Sequence, residues 1–173
     1  GRGKSTLLYV VGLLLKIREG EIRLDGERID HLNDTAQSQL RAGTFGFIFQ
    51  DAALDPTRSI LDGVCESRTY RRESLRANRP RALALLTELG VAEGALRRPG
   101  QISGGQAQRV AIARALISEP AVILADEPTG NLDSHNTGLV LSALRTISDS
   151  GTTVLIATHD PVVVEWADEV LSL

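Results

Sequence analysis

The chain has 173 residues, 42% of them hydrophobic, with a formal net charge of −3 and a single cysteine, Cys65. That length suits one domain with a sizeable core. The small net charge excludes a broad polyanion-binding surface, the lone cysteine excludes an internal disulfide and fits a reducing compartment, and no run approaches the ~20 apolar residues of a membrane span.

In chain order, the apolar run after Gly1-Arg2-Gly3-Lys4-Ser5-Thr6 predicts a helix from Ser5 to about Lys16. Glu21 to Ile29 reads as a hairpin turning at Asp25-Gly26. Asp34 is placed to cap a short helix to about Arg41, and Thr44 to Phe49 reads as a strand ending at Gln50. From Ser59 to about Leu89 the pattern is helical, with a break near Pro80. Ser103 is an N-cap for a helix from Gly104 to Ile117. Val122 to Ala125 is a strand, His135 to Ser148 a helix and Thr153 to Ala157 a strand, followed by a short helix from Pro161 and a last strand from Glu169 to Leu173. Strands alternating with helices after Gly105 predict a parallel α/β sheet, with a helical subdomain over about 59–117 inserted between two of its strands. Cys65 falls in a helical stretch and reads as a packing residue; His31 and His135 read as surface residues.

Three segments carry chemistry. Gly1 to Thr6 matches the second half of the phosphate-binding loop G-x-x-x-x-G-K-[ST], in which Gly3 admits the phosphates to the backbone, Lys4 reaches the β and γ phosphates and Ser5 places its hydroxyl on Mg²⁺. Ile102-Ser103-Gly104-Gly105-Gln106 opens a helix whose free N–H groups and dipole attract an anion. Val122 to Glu127 is an apolar strand delivering Asp126 and Glu127 to its C-terminal edge, where α/β sheets hold their ligands. Adjacent acids after a strand are otherwise a solvated loop, and Pro128-Thr129-Gly130 does make a turn there. Phosphate binding beside a metal-and-water site points to nucleotide hydrolysis. Gln50 and His159 also end strands. Asp133 suits helix capping ahead of His135, while Arg109 and Arg114 suit packing and charge balance.

The chain resembles the nucleotide-binding domain of ABC (ATP-binding cassette) transporters through GRGKST, FIFQ at Phe47 to Gln50, ISGGQAQRVAIARAL from Ile102 to Leu116, AVILADEP from Ala121 to Pro128, GNLDS from Gly130 to Ser134 and ATHD from Ala157 to Asp160. These span nearly all of residues 1–173 in the family's order. Ile102 in place of the commoner Leu, and Ala107 after the signature Gln, remove no polar ligand. The resemblance implies a P-loop NTPase sheet flanked by helices, with a residual antiparallel hairpin. It implies ATP and Mg²⁺ as ligands, with Gly1, Gly3, Lys4, Ser5 and Thr6 on the nucleotide and Ser5, Gln50 and Asp126 on the metal. Glu127 would be the base that polarises water, held with it by His159, and Gln50 would touch both metal and water. The segment Asp51 to Thr57 would sense a membrane partner. Ser103, Gly104, Gly105 and Gln106 would cap the ATP of a second copy in a head-to-tail dimer, with Asp133 lining the same interface.

Further expectations follow from the family. Separate permease subunits would be the partners, nucleic acid would not, and the protein would sit in the cytoplasm against the inner face of the plasma membrane. Glu127 to Ser134 looks most like the lipoprotein-release, macrolide-export and antimicrobial-peptide branch. Because the sequence opens inside a motif, the reading expects missing N-terminal antiparallel strands, a missing strand into the loop, the first loop glycine and an adenine-stacking aromatic upstream. Two other readings share the motifs: a soluble ABC ATPase of DNA repair or translation, and a fragment unable to bind nucleotide. Against the first, the 52 residues between Gln50 and Ser103 (51–102) leave room for a small helical subdomain and no long coiled coil.

Overall fold

A computed structural model describes residues 3–69 and 74–173; Gly1 and Arg2, and so the expected nucleotide contact of Gly1, lie outside the described residues. Helix α1, Lys4–Val11, starts after Gly3, whose φ of 84° is left-handed and suits a residue without Cβ. The helix stops five residues short of the expected Lys16. Past Gly12 the chain folds back, with Leu13 at φ 57° and the N–H groups of Leu14 and Leu15 donating to the Tyr9 carbonyl at 2.8 and 3.2 Å. The hairpin forms as β1, Arg23–Leu24, against β2, Glu27–Arg28, antiparallel. Helix α2 is Asp34–Thr44, and its cap is Asn33 rather than Asp34: the Asn33 side chain accepts from the Ala36 N–H at 2.9 Å. Asp34 instead supplies negative charge to the first turn.

The sheet has three parallel strands in the order β3, Phe45–Ile48; β4, Val122–Asp126; β5, Thr153–Ala157. Phe45 pairs with Val122 and Val122 with Thr153, so all three strands end along one edge. Alternation along β4 divides its side chains between the two faces. Ile123 and Ala125 join Ile112, Val140 and Leu144 of α5, Gly104–Leu116, and α6, Ser134–Asp149. Leu124 joins Leu8 of α1 and Phe45 on the other face.

A third core packs α3, Ile60–Thr69, and α4, Leu75–Glu88, against α5 through Val64, Cys65, Leu86 and Val110. Cys65 is fully buried, as its packing reading requires, and burial pushes its thiol pKa up. Pro80 lies inside α4 instead of breaking it. Ser74 caps that helix, accepting from the Ala77 N–H, and Pro80 forgoes one backbone bond within a helix held by Ala82, Leu85 and Leu86. The last helix, α7, is Pro161–Trp166. Residues 169–173 form no strand: among the described residues no strand pairs with them, and Val170 and Leu171 are exposed.

Candidate functional site

The strand ends place the chemistry. At the end of β4, Asp126 is buried and both of its oxygens are taken by α1: Ser5 Oγ donates to Oδ1 at 2.8 Å and Tyr9 Oη to Oδ2 at 2.7 Å. The bond Tyr9 donates to Asp126, followed by burial and the charges of Asp126 and Asp51, pushes its pKa up to about 12. The phenol therefore remains a donor at neutral pH. The Ser5–Asp126 pairing is the one the sequence predicts. Tyr9 is a site residue that sequence reasoning missed; the available signal was its position one helical turn after Ser5, on the same face.

Glu127 turns away from the strand at φ 47°, a left-handed conformation that costs an L-residue about 1–2 kcal/mol. Its N–H donates to the Ala157 carbonyl at 2.8 Å, so the turn is anchored to the end of β5. The carboxylate is gripped by the next two residues of that chain. Thr158 Oγ1 donates to Oε2 at 2.9 Å, and His159 Nδ1 lies 2.5 Å from Oε1. The Glu127 side chain is 16% exposed and that of His159 77%, so the histidine covers the carboxylate from the solvent side. Thr158 is a second site residue that sequence reasoning missed; its hydroxyl also accepts from the Asp160 N–H at 3.0 Å, a local turn bond that a threonine before a helix commonly makes.

Gln50 follows β3 on the same edge. A methyl group built at Gly130 would lie 3.2 Å from Gln50 Nε2 and 3.5 Å from Glu127 Cβ, so the amide sits beside the Glu127 turn. Lys4 lines a groove of about 730 Å³ that also borders Leu7, Leu155 and Thr158. Gly3 and Thr6 are exposed at the start of α1. Gln50, Asp126, Glu127, His159 and Ser5 are thus collected at one end of the sheet. Oxygen donors there could hold a hard cation, and a carboxylate braced by a hydroxyl and an imidazole could accept a proton from water.

The signature residues form a second cluster. Ser103 Oγ accepts from the Gln106 N–H at 3.3 Å while Gln106 Oε1 accepts from the Ser103 N–H at 2.9 Å, a reciprocal cap that leaves Ser103 and Gly104 exposed. Gly105 is needed for close approach: a Cβ there would lie 2.1 Å from Asn136 Oδ1. Asp133 caps α6, accepting from the Asn136 backbone N–H at 2.8 Å and from its amide. Those bonds hold its carboxyl below the usual range. Asn136 Oδ1 accepts from Arg109 Nη1 at 3.3 Å, so the starts of α5 and α6 share one surface. His31 and His135 are exposed. Arg114 does more than pack: Nη1 and Nη2 donate to the Ala53 and Ala52 carbonyls at 2.5 and 2.8 Å, tying α5 to the turn after Gln50.

A helix start bonded to a strand-end aspartate, with a second carboxylate braced beside it, defines the class: a P-loop nucleotide-binding fold. The family model described as ABC transporter matches residues 1–130. This chain belongs to the ABC transporter family. It is 44% identical over its whole length to the macrolide export ATP-binding/permease protein MacB of Chromobacterium violaceum, of which it covers 27%. It is 40% identical to the lipoprotein-releasing system ATP-binding protein LolD of Aquifex aeolicus, of which it covers 77%. The chain thus spans about a quarter of the length of the export protein it matches. Among solved structures, the dimeric bacterial ABC transporter cassette MJ0796 superposes with a TM-score of 0.86 at 37% identity, over 96% of this chain and 74% of that one. Its dimeric post-hydrolysis state bound to ADP and Pi gives 0.82 at 36% identity, with the same coverage.

Proposed function

We propose that this chain is the ATP-hydrolysing cassette of an ABC transporter, working with Mg²⁺ in a head-to-tail dimer whose closing and opening drive membrane permease subunits. The observation that carries the reading is the bond between Ser5 and Asp126, which joins the phosphate-loop helix to the Asp-Glu strand across 121 residues of sequence. The Ser5 hydroxyl, the Asp126 carboxylate and the Gln50 amide oxygen are the hard donors that Mg²⁺ prefers. Among the described residues there is no cluster of three or more His, Cys, Asp or Glu that could hold a metal, and Ser5, Asp126 and Gln50 would hold Mg²⁺ beside the bound nucleotide. When bound, Mg²⁺ neutralises charge on the β and γ phosphate oxygens.

The remaining steps belong to the chain's own residues. Gly3 and Thr6 line the phosphates, and Lys4 pairs with the β and γ groups. Glu127 takes the proton of the attacking water as its oxygen bonds to the γ phosphorus and the bond to ADP breaks. Thr158 and His159 hold the carboxylate oriented for that transfer, and Gln50 orients the water. The cap of Ser103, Gly104, Gly105 and Gln106, exposed at Ser103 and Gly104 and with Asp133 beside it, meets the ATP of the partner copy. The dimeric state of the related cassette supports that arrangement.

The same reading places the protein in the cytoplasm, against the inner face of the plasma membrane through its permease; no helix among the described residues is long and apolar enough to cross a membrane. The names of the two relatives support the macrolide-export and lipoprotein-release branch. The soluble alternative is disfavoured, because 51–102 holds the α3 and α4 pair and short turns among its described residues, with no long coiled coil. The test is size-exclusion chromatography of the intact protein with a hydrolysis-resistant ATP analogue and Mg²⁺. The parent should dimerise with the analogue and not with ADP, and Ser103→Arg should stay monomeric while still binding nucleotide. A Ser103→Arg variant that dimerised as well as the parent would contradict binding of the signature in trans.

A further inference from the structure

Asp126 is gripped twice by one face of one helix. Ser5 and Tyr9 are one turn apart on α1, and each hydroxyl takes a different oxygen of the same carboxylate. Ser5 sits at the start of the helix, beside the phosphate loop. Tyr9 sits deeper, and its ring is held in place: it tilts at 60° against Phe49 at 6.3 Å, and Phe49 stacks on Phe47 at 6.1 Å and 7°. The Tyr9 carbonyl accepts from the N–H groups of Leu14 and Leu15, which fixes the backbone behind the ring. The phenol therefore reaches Oδ2 from a rigid platform, and the bond is 2.7 Å long.

We infer that Tyr9 is a positioning residue that restricts Asp126 to a single oxygen toward the cation and so sets a preference for Mg²⁺ over Ca²⁺. The inference rests on the reading of Ser5 and Asp126 as the cation site. The phenol holds Oδ2, while Oδ1 is the oxygen bonded to Ser5, the residue of the phosphate loop. Mg²⁺ binds at about 2.0–2.1 Å in a strict octahedron that one carboxylate oxygen can serve. Ca²⁺ binds at about 2.3–2.6 Å with six to eight oxygens and often takes both oxygens of a carboxylate. A carboxylate pinned through one oxygen satisfies the first and denies the second its two-oxygen mode.

The experiment is equilibrium binding of a fluorescent, hydrolysis-resistant ATP analogue to the intact protein in Mg²⁺, in Ca²⁺ and in EDTA, for the parent, Tyr9→Phe and Asp126→Asn. Phenylalanine keeps the ring and its stacking and removes only the donor. The ratio of Ca²⁺-supported to Mg²⁺-supported Kd should fall about tenfold in Tyr9→Phe, as expected for loss of one hydrogen bond to a charged group, mainly through tighter binding in Ca²⁺. A ratio unchanged in Tyr9→Phe, with the cation effect lost in Asp126→Asn, would overturn the role of Tyr9 and leave the cation site standing. A parent-like cation effect in Asp126→Asn would overturn the cation site itself.

Discussion

The turn after Gln50 is held by one arginine, and that gives a quantitative test of how α5 is joined to the sheet edge. Ala52 and Ala53 have φ of 61° and 44°, both left-handed. At about 1–2 kcal/mol per L-residue, the pair stores about 2–4 kcal/mol. Arg114 donates to both carbonyls, at 2.8 and 2.5 Å. Bonds from a charged donor contribute about 1.5–3 kcal/mol each, so about 3–6 kcal/mol holds the turn in place. Arg114→Ala removes the bonds and lets the turn relax, so the net loss of stability should be the difference, about 1–2 kcal/mol. Ala53 is exposed, so Ala53→Gly relieves strain without losing buried surface. Against that gain of about 1–2 kcal/mol stands about 0.5–1 kcal/mol for the greater freedom of unfolded glycine, so Ala53→Gly alone should be about 0.5–1 kcal/mol more stable than the parent. In the Arg114→Ala background the strain has already gone, and the same substitution should cost about 0.5 kcal/mol instead. The resulting coupling of about 1 kcal/mol is measurable by urea unfolding of the four proteins, and hydrogen exchange over 51–57 should rise in Arg114→Ala. An Ala53→Gly effect equal in both backgrounds would refute the strained, arginine-held turn.

Two further outcomes test the phosphate contacts and the core. Lys4→Ala should weaken MgATP binding as well as lower the rate, because the proposed contact exists in the ground state; unchanged affinity with only a slower rate would contradict it. Leu144→Ala, at a fully buried position between α6 and the sheet, should cost about 2–5 kcal/mol in chemical unfolding. A loss under about 1 kcal/mol would show that this layer collapses into the gap.

The strand-end positions were legible from apolar runs that end in a polar residue, but that pattern also suits a surface residue or a solvated loop, and for Gln50 it was the family resemblance that marked the site. Gln50, Asp126 and His159 all fall where that pattern puts them. Caps were legible too: Ser103 and Asp133 both accept from the N–H three residues on. Where adjacent candidates compete, local pattern fails. Asn33 and Asp34 are equally good caps by type, and only the backbone path selects Asn33. Tertiary packing overrides propensity at Pro80 and at the Leu13-Leu14-Leu15 run, which folds back instead of extending α1. The bonds of Tyr9 to Asp126, Thr158 to Glu127 and Arg114 to the turn after Gln50 join residues 117, 31 and 61–62 apart, and apart from the one-turn spacing of Ser5 and Tyr9 no local periodicity points to them.

The central claim is that Glu127, braced by Thr158 and His159, is the base for ATP hydrolysis. The direct measurement pairs calorimetric titration of MgATP with steady-state phosphate release, for the intact protein and its Glu127→Gln variant. The amide keeps the size of the side chain and can still accept from Thr158, but it cannot take a proton from water. Nucleotide affinity should therefore hold within about twofold, since the lost interaction belongs to the transition state, while turnover falls by ~10²–10⁴-fold. Phosphate release by Glu127→Gln at the parent rate would remove Glu127 from the role of base and, with it, the mechanism assigned to this edge of the sheet.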